Sequence, residues 1–506
     1  MLRESLDSKS TRDLEAEVVI VGYGGAGAAA AIAAHDAGAK SIIVESTSHG
    51  GGNTLVSMGG FLCPRNPQDA IAYISALYQF SQSDKDEEVI RVFSQESAKN
   101  VEWVKGLREG TEVQLYGHAG YSQVPGAESM EKYFVKKKGK GMTVFARNLW
   151  DLLSYAVEEK RKIPVLTHSP AKRLLTNSNG EVTGVAVEHE RAEVNIQAKR
   201  AVILTTGGYE FDRKTLQNNV KGYPIYASGH PGNTGDGIRM AQKVGAALWH
   251  MNGVSCGLGL KVPDFEAGFL MMIGAPGHIL IDRNARRFVN EIGIEPHTGL
   301  LAVDHYDTQA LRFPRIPCYA IFDETARLAG PISRVTGMGA AGQKYKWSRD
   351  NSIEIDKGWI TQGSTLVELA EKLKLEAATF ENTVTRWNED VRNGQDTQFN
   401  RAIRSSHDDR PAYKDFVSCV LSEPIETPPF YGLKLYPCLV NTQGGPRRNV
   451  RAQVLDAFGQ TIPRLYSAGE LGSMWGIIYQ GGGNIAECMV FGRIAGKNAA
   501  GEKPWV

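Results

Sequence analysis

The stretch Glu17–Gly60 restricts the fold of this chain more than any other part of the sequence. It begins with a β-branched run, 17–21, which is typical of a buried parallel strand and leads directly into residues 22–27, whose sequence GYGGAG matches GxGxxG. An alanine-rich helix and a second apolar run, 41–44, follow, and that run ends in Glu45. Strand, glycines, helix, strand and acid in this order indicate the first βαβ unit of a dinucleotide-binding domain.

The glycines of this turn each meet a different physical requirement. Gly22 permits the tight turn, Gly24 lets a pyrophosphate approach the backbone, and Gly27 lets the helix pack closely on the strand. The helix then presents N-terminal amides and a partial positive charge, and both attract phosphate. Glu45 stands about twenty residues beyond the glycines, where an acid is expected to bind the hydroxyls of an adenosine ribose.

The overall composition argues against several classes of protein. A chain of 506 residues is expected to form two or three domains, and its net charge of +1 argues against a nucleic-acid or membrane-surface partner. The charged segment Met1–Glu17 lacks the apolar core of a secretory signal, and no window is apolar and long enough to span a membrane. We therefore expect a cytoplasmic protein with no membrane span and no metal site. Its six scattered cysteines are expected to be reduced thiols: Cys63, Cys256, Cys318, Cys419, Cys438 and Cys488.

Glycine-rich motifs and buried apolar runs are concentrated towards the two ends of the chain. Between Met251 and Pro429 the sequence changes to mixed short strands, turns and helices. We therefore expect an α/β fold with one nucleotide-binding domain, formed by residues 1–252 and 431–506, and an inserted α+β capping domain, residues 253–430.

Local patterns predict several further elements. Apolar spacing predicts helices at 84–108 and 142–162. Strands are predicted at 165–168 and 182–188, with Asn177–Gly180 as the turn of a hairpin. These elements place a helical layer and a β-hairpin between the first βαβ unit and the next glycine-rich motif.

Further motifs follow the first one along the whole chain. In order, they are GGNT at 51–54 with GG at 59–60, TGG at 206–208, TGDG at 234–237, RFVNE at 287–291, GG at 444–445, SAGE at 467–470 and FGR at 491–493. In this order they resemble the flavoproteins related to fumarate reductase and succinate dehydrogenase, a family that includes the 3-ketosteroid dehydrogenases. The resemblance covers nearly the whole chain.

The resemblance implies a tightly bound FAD in a Rossmann-like domain of the glutathione reductase type, with the isoalloxazine between that domain and the cap. Asn53 falls where succinate dehydrogenases carry the histidine that bonds covalently to FAD, so the attachment is expected to be non-covalent. Thr54 and the amides of 59–60 are expected to reach flavin N5, and the amides of 484–485 to stabilise charge near N1–O2. The expected FAD-binding residues are Gly22, Gly24, Gly25, Ala26, Gly27, Glu45, Ser46, Gly52, Asn53, Thr54, Gly59, Gly60, Gly207, Asp236, Gly469, Glu470, Asn484 and Ile485.

Three departures from the family pattern concern the substrate. Fumarate reductases have a proton-donating arginine four residues after the Asn-Glu pair, where this chain has Glu295 and ketosteroid dehydrogenases have a tyrosine. Tyr479 stands where fumarate reductases place a substrate-binding arginine, and ketosteroid dehydrogenases also have a tyrosine there. Asn441 replaces the histidine that precedes the late Gly-Gly. The chain therefore resembles the 3-ketosteroid dehydrogenase branch more than true fumarate reductases.

Tyr479 and Gly483 together predict a site for a ketone. Tyr479 offers a neutral O–H donor, and Gly483 matches a glycine whose N–H joins that tyrosine in ketosteroid dehydrogenases. Such a pair stabilises enolate charge while a base removes the α-proton and hydride passes from the β-carbon to flavin N5. Glu295 is the candidate proton-transfer group, with His297 as second choice. The alternatives are a Glu295 on the surface or paired with an arginine, and a Tyr479 that lines the core without chemistry.

Two further sets of residues are substrate candidates. Tyr116, His118 and Tyr121 lie in a glycine- and aromatic-rich stretch that is either a loop over the pocket or an ordinary surface loop. Arg448 belongs to a basic cluster and either faces a carboxylate of the substrate or lies in a solvated turn near Asp456.

We therefore predict a FAD-dependent oxidoreductase that acts on CH–CH bonds by desaturating a cyclic ketone, a ketosteroid or a smaller ring ketone, or by reducing the corresponding enone. One alternative keeps the family and changes the substrate to an unsaturated carboxylic acid, as in a fumarate reductase or a tricarballylate dehydrogenase. Another is a non-catalytic, electron-carrying flavoprotein. Because FAD is expected to fill the one evident dinucleotide site, electrons must pass to or from an external acceptor or donor.

Overall fold

The computed structural model describes residues 14–118, 120–136, 145–333, 345–403 and 422–505. Cys419, predicted to be a reduced thiol, lies outside the described residues, as do the first three positions of the helix predicted at 142–162. Within the described ranges the fold is mixed α/β, as predicted.

The chain forms two compact units. The first takes in the chain up to Asn219, the segment His230–Gly253, and the chain from Asn441 onward; the second takes in Val220–Gly229 and Val254–Val440. These bounds differ from the predicted domains mainly near residue 430, because a long strand begins there and pairs within the second unit.

Both units contain strands and helices. The strands are β1 (Leu14–Val21), β2 (Ser41–Val44), β3 (Phe61–Leu62), β4 (Val113–His118), β5 (Glu131–Val135), β6 (Val165–Leu166), β7 (Ala171–Thr176), β8 (Val182–His189), β9 (Ala192–Leu204), β10 (Tyr226–Ala227), β11 (Leu248–Trp249), β12 (Val254–Leu260), β13 (Phe269–Leu270), β14 (Ile279–Ile281), β15 (Cys318–Asp323), β16 (Ile360–Gly363), β17 (Phe430–Thr442), β18 (Gly445–Pro446), β19 (Gln453–Leu455) and β20 (Thr461–Ser467). The helices are α1 (Gly25–Asp36), α2 (Gly52–Val56), α3 (Pro67–Ser81), α4 (Glu87–Ser97), α5 (Asn100–Leu107), α6 (Phe145–Ser154), α7 (Arg213–Asn219), α8 (Asp236–Lys243), α9 (Gly299–Val303), α10 (Glu324–Leu328), α11 (Ser352–Asp356), α12 (Leu366–Leu373), α13 (Ala377–Asn393) and α14 (Gly483–Ala500).

A largely parallel sheet organises the first unit. Its strands run in the order β19-β20-β9-β1-β2-β6, and the pairs from β20 to β6 are parallel. Val18–Val21 of β1 is buried and pairs with 41–44 on one side and 201–204 on the other. Because the centre of a parallel sheet is covered on both faces, these strands are continuous apolar runs.

The first and last helices of the chain pack together through small residues. A Cβ on Gly492 of α14 would lie 2.8 Å from the carbonyl oxygen of Ala26 in α1, and one on Gly496 would lie 2.2 Å from that of Ala30. Only glycine permits this approach. The contact packs the second half of α14 against the first half of α1.

The second unit is built on a seven-stranded sheet in the order β13-β12-β17-β15-β14, with β10 and β16 also paired to β17. Its core contains Leu369, Phe380, Val384 and Trp387, which α12 and α13 contribute at helical spacing. Among the residues described in both units, no helix is long and apolar enough to cross a bilayer.

Two predicted elements differ from the structure. The turn at Asn177–Gly180 joins β7 to β8, not 165–168 to β8, because β6 pairs in parallel with β2. The helix predicted at 84–108 is two helices, α4 and α5, and the Asp86 carboxylate caps α4 by accepting the Val89 amide at 3.1 Å. Apolar spacing alone could not show the break between them.

Candidate active site

The glycine turn after β1 has the geometry that its sequence predicts. Gly22 has φ +102°, and a Cβ there would lie 2.5 Å from the Thr205 carbonyl oxygen. A Cβ on Gly27 would lie 2.0 Å from the Gly22 carbonyl oxygen. Both positions therefore require glycine, and the backbone leaves β1 in a tight turn that leads directly into α1.

The carboxylate of Glu45 is held at the end of β2. Its Oε2 accepts the Tyr23 amide at 2.9 Å, and its Oε1 accepts the amide and the hydroxyl of Thr47, both at 2.8 Å. Ser46, a predicted cofactor contact, turns its hydroxyl to the same Oε1 at 3.2 Å. A carboxylate oxygen can accept two hydrogen bonds, so Oε2 fits the ribose hydroxyl of an FAD.

Helices α1 and α2 meet at the next predicted contacts. The Gly25 amide donates to Thr54 Oγ1 at 3.1 Å, and Thr54 is buried. Thr54, predicted to reach flavin N5, and Gly25, predicted to meet phosphate, therefore hydrogen-bond each other. The cause is the approach of the two chain segments, since Gly24 forms a parallel bridge with Gly51, one residue before Gly52 begins α2.

Asn53 joins three separate segments of the first unit. Its Nδ2 donates to Glu210 Oε1 at 2.6 Å and to Glu470 Oε2 at 2.8 Å, and its Oδ1 accepts the His230 amide at 2.7 Å. An amide with both its polar atoms bonded is not a nucleophile, so this residue offers no covalent link to FAD.

Glu210 and Glu470 form a buried carboxyl pair. Both are at most a few per cent exposed, and Glu470 Oε1 also accepts the Thr442 amide at 3.0 Å while Glu210 Oε1 accepts Asn233 Nδ2 at 2.9 Å. Burial, and after it repulsion from Glu210, raises the pKa of Glu470 well above its ordinary range. Burial also raises the pKa of Glu210, so we infer that the pair shares a proton. Sequence analysis missed Glu210, although it stands two residues after the TGG motif.

Three other predicted cofactor residues occupy turns in the same unit. Gly207 has φ +73°, and a Cβ there would lie 2.4 Å from Asn233 Oδ1. Gly469 has φ +78°, and a Cβ there would lie 2.7 Å from the Cβ of Ala26 in α1. Asp236 begins α8, pairs with Arg239 and accepts the Thr234 hydroxyl at 2.9 Å. Its carboxylate is thus committed to its own helix start.

Glycines from two distant parts of the sequence lie together before α14. A Cβ on Gly482 would lie 3.2 Å from the Gly60 carbonyl oxygen, and the Leu62 amide donates to the Gly482 carbonyl at 3.3 Å. The Gly59 amide donates to Ser57 Oγ at 3.0 Å. Residues 59–60, predicted to reach the flavin, are therefore beside the N-terminus of α14, where Ile485 is half-buried against the core.

Tyr479 lies in an apolar environment at that helix start. Its side chain is 5% exposed, its ring meets Trp475 edge-on at 5.8 Å, and its Oη accepts the Asn484 amide at 3.2 Å. The Asn484 side chain bonds Asn441, Gln443 and Ser473. One of the amides predicted for the flavin is therefore donated to Tyr479.

Gly483, predicted to join Tyr479 at a substrate oxygen, is the first residue of α14. Its N–H donates to the Gln480 carbonyl at 2.8 Å, so it is not presented to a substrate oxygen in this structure. A Cβ on Gly483 would lie 2.4 Å from the Trp475 ring, which explains the glycine by packing. Trp475 Nε1 is buried with no hydrogen-bond partner among the described residues. An unpartnered buried N–H is costly, so this donor beside α14 fits an added acceptor such as a carbonyl of FAD.

The predicted aromatic substrate loop is only partly a loop. Tyr116 and His118 lie on β4, which pairs with β5, and Tyr116 is half exposed with its ring 4.8 Å from that of Phe134. Tyr121 follows the strand and directs its Oη to the Tyr479 carbonyl at 3.5 Å. The structure therefore brings Tyr121 to Tyr479, whereas Tyr116 packs on Phe134.

Arg448 is not a substrate residue. Its side chain is fully buried and forms an ion pair with Glu487 of α14, and it also donates to the carbonyls of Leu471 and Gly472 at 3.0 and 2.7 Å. Glu487 in turn accepts the Met474 amide at 2.7 Å. The guanidinium thus holds the chain before α14, and neither the substrate role nor the solvated turn predicted for it is correct.

Glu295 and His297, the two candidate proton-transfer residues, are partners in the second unit. Glu295 Oε1 lies 2.7 Å from His297 Nδ1, and Glu295 Oε2 accepts the His297 amide at 2.7 Å. Both side chains are about one-quarter exposed, at 24% and 28%. The Glu295 carboxylate is therefore only partly exposed, and it is hydrogen-bonded to a second titratable side chain.

The second unit also contains a network of buried charged side chains. Arg287 is bidentate to Glu291 at 2.9 Å and also bonds Asp396 at 3.0 Å, and Arg401 bonds Glu291 at 3.2 Å. Arginine hydrogen bonds outweigh burial and lower the pKa of Asp396 to about 2. The four charges pair within the second unit, while Nε and Nη2 of Arg401 have no hydrogen-bond partner among the described residues. The RFVNE motif therefore has a structural role.

Taken together, the glycine turn, the Glu45 carboxylate and the polar start of α14 define a flavin-dependent oxidoreductase. The chain belongs to the FAD binding domain family, whose pattern matches residues 17–485. It is a FAD-dependent oxidoreductase of the class that acts on CH–CH bonds, and FAD is its cofactor.

Curated relatives cover both branches that the sequence resembles. The chain is 28% identical to the fumarate reductase (cytochrome) of Shewanella frigidimarina over 96% of this chain and 77% of that protein. It is also 28% identical to the 3-oxosteroid 1-dehydrogenase of Mycolicibacterium smegmatis, over 96% of this chain and 97% of that protein. The urocanate reductase of Eggerthella lenta is 26% identical, over 96% and 75%.

Solved structures share the fold. The 3-ketosteroid Δ1-dehydrogenase from Sterolibacterium denitrificans superposes with a TM-score of 0.82 at 21% identity, covering 96% of this chain and 99% of that one. A flavocytochrome c3 fumarate reductase gives a TM-score of 0.69 at 24% identity, covering 96% and 78%. These similarities confirm the predicted family and the two-domain flavoenzyme fold.

Proposed function

We propose that this protein oxidises the α,β bond of a cyclic ketone, a ketosteroid or a smaller ring ketone, or reduces the corresponding enone. The observation that carries the proposal is the setting of Tyr479, a buried neutral phenol whose oxygen accepts the Asn484 amide at 3.2 Å. A phenol that accepts a hydrogen bond becomes a stronger donor. A neutral donor suits a ketone oxygen, whereas a carboxylate is bound best by a guanidinium.

The alternative, an unsaturated carboxylic acid, needs a cationic anchor. Arg448, the candidate for this role, pairs instead with buried Glu487, and the neighbouring Arg447 bonds Asp84 at 3.2 Å at the surface. The relatives named above include both kinds of enzyme, so they do not decide between the substrates. The side chains of the first unit favour the ketone.

The proposed reaction divides between the cofactor and three side chains. FAD, when bound, supplies the acceptor or donor of hydride at its N5 atom. Tyr479 Oη hydrogen-bonds the carbonyl oxygen and stabilises the negative charge that develops there. The Glu295–His297 pair takes the α-proton during desaturation and returns it during reduction. When Glu295 accepts the Nδ1–H of His297, Nε2 is the acceptor nitrogen of the neutral ring and would receive the α-proton.

Electrons are proposed to pass to or from an external partner, in the cytoplasm. The five described cysteines, Cys63, Cys256, Cys318, Cys438 and Cys488, are free thiols, which supports a reducing compartment.

Anaerobic titration of the flavoprotein tests the substrate class. Ring ketones should bleach the flavin absorbance, or enones should reoxidise the reduced protein, whereas unsaturated acids should do neither. In Tyr479→Phe, kcat should fall about 10²-fold, roughly 3 kcal/mol, with the FAD spectrum retained, because one donor to the developing charge is lost. Unchanged turnover in that variant, or bleaching by acids alone, would refute the proposal.

A further inference from the structure

We propose that Tyr73 is a positioning residue that fixes the loop carrying Tyr479. Tyr73 lies on α3, about 400 positions away in sequence from that loop, and belongs to no motif of the family. The proposal rests on the proposed function of Tyr479 for its effect on turnover, and its structural part is tested separately below.

The hydroxyl of Tyr73 connects three segments of the first unit. It donates to Gln480 Oε1 at 2.6 Å and accepts the Tyr121 amide at 2.9 Å. Tyr73 and Gln480 are buried, at 0% and 2% exposure. Buried hydrogen bonds of this kind are costly to break, because each lost partner leaves a desolvated polar group.

Gln480 directly follows Tyr479 and shapes the turn before α14. Its carbonyl accepts the Gly483 amide at 2.8 Å, and its Nε2 donates to the Gly481 carbonyl at 3.2 Å. A side chain held by Tyr73 therefore fixes the residue between Tyr479 and the helix start. Tyr121, also held by Tyr73, adds a longer contact from its Oη to the Tyr479 carbonyl at 3.5 Å.

Gly120 shows how closely the backbone covers this hydroxyl. It has φ +110°, and a Cβ there would lie 1.9 Å from Tyr73 Oη and 2.7 Å from Gln480 Oε1. Any side chain at this position would displace the hydroxyl from its partners. The glycine before Tyr121 is thus explained by the same contact, which is an observation independent of the hydrogen bonds.

A positioning role follows from the sensitivity of catalysis to donor placement. A displacement of about 1 Å in a catalytic group can lower a rate by up to about 10²-fold. Phenylalanine fills the volume of the Tyr73 ring and removes only its hydroxyl. Tyr73→Phe therefore leaves packing intact but leaves Gln480 Oε1 and the Tyr121 amide without this partner, and the loop can take other positions.

Steady-state kinetics and hydrogen exchange of the FAD-loaded Tyr73→Phe protein test the proposal. We expect kcat for the ring ketone or enone to fall about tenfold, KM to stay within about twofold, and bound FAD to be unchanged. Amides of residues 479–484 should exchange faster. In a Tyr479→Phe background, adding Tyr73→Phe should change kcat less than about twofold, because Tyr73 acts through Tyr479.

Tyr466→Phe is the matched control. Tyr466 is equally buried, and its Oη donates one hydrogen bond of 2.6 Å, to Glu502, in the same unit. This variant should alter neither kcat nor exchange at 479–484.

The results of these experiments test the positioning role of Tyr73 and the proposed function of Tyr479 separately. Unchanged exchange at 479–484 in Tyr73→Phe overturns the positioning role, and so does a full tenfold loss that persists in the Tyr479→Phe background. If Tyr479→Phe alone has normal turnover, the proposed function fails, while faster exchange in Tyr73→Phe still supports the role of Tyr73 in holding the loop.

Discussion

Two regions of the first compact unit can be compared: the βαβ motif at residues 14–45 and the segment 473–484 before α14. The sequence predicts the structure of the first region better than that of the second. In the βαβ unit, the turn that spacing predicts is present, and Gly22 and Gly27 are required by backbone approaches of 2.5 and 2.0 Å. In the later segment, Gly483 is required by the Trp475 ring, and its amide is used by Gln480.

The difference lies in what each region must satisfy. The glycines of the βαβ unit are required by backbone atoms, those of Thr205 for Gly22 and those of Gly22 for Gly27, and glycine spacing records such close approaches directly. The segment before α14 is held by side chains from distant parts of the chain, Tyr73, Arg448 and Glu487 among them. Local spacing carries no record of such partners, so a motif match there identifies the position but not the role.

The largest expected effect concerns the side-chain network of the later region. Arg448→Met should lower the free energy of unfolding by about 3–5 kcal/mol, because it leaves the Glu487 carboxylate buried without its cation. Chemical denaturation of the flavoprotein measures it. Arg447→Met is the control, since Arg447 pairs at the surface with Asp84 and Asp86 and should cost less than about 1 kcal/mol. Equal losses in the two variants would contradict the structural role of Arg448.

Arg448 also shows where sequence reasoning ends. A cluster of arginines after Gly444-Gly445 predicts either substrate binding or solvation, because both keep a charge near water. The third possibility, complete burial of Arg448, depends on its ion pair with Glu487, which lies 39 positions away in the sequence. Nothing in the sequence distinguishes Glu487 from an exposed acidic residue of a helix. By contrast, the family and the FAD cofactor followed from the motifs.

A comparison of two glycines sharpens the account of the βαβ unit. Gly22→Ala should destabilise the protein by about 3 kcal/mol, because it adds strain at φ +102° to a contact of 2.5 Å with Thr205. Gly38→Ala tests strain alone, since Gly38 has φ +87° and no atom within 4 Å of an added Cβ, and should cost about 1 kcal/mol. Thermal unfolding and FAD retention measure both. A Gly22 effect no larger than that of Gly38 would show that the close approach is not required.

Asn53 bonds the shared carboxyl pair of Glu210 and Glu470, which lies outside both regions but in the same unit of the chain. Because burial and mutual repulsion raise the pKa of Glu470 well above its ordinary value, the native pair keeps a proton that the unfolded chain releases. The folded state then binds more protons than the unfolded state at any pH between those two values. The contribution of this pair to stability is therefore greatest below about pH 4.5 and falls by up to about 1.4 kcal/mol per pH unit above it, until the raised pKa is reached.

Glu470→Gln removes this penalty and should flatten the pH dependence of unfolding free energy between about pH 5 and pH 8. Gln keeps an acceptor for the Thr442 amide and supplies a donor to Glu210 Oε2, which has no hydrogen-bond partner among the described residues. Because the pair shares one proton, Glu210→Gln should flatten the same slope by a similar amount. If urea unfolding at each pH gave parallel curves for wild type and both variants, neither carboxyl would contribute to the pH dependence. The pair would then not hold a shared proton.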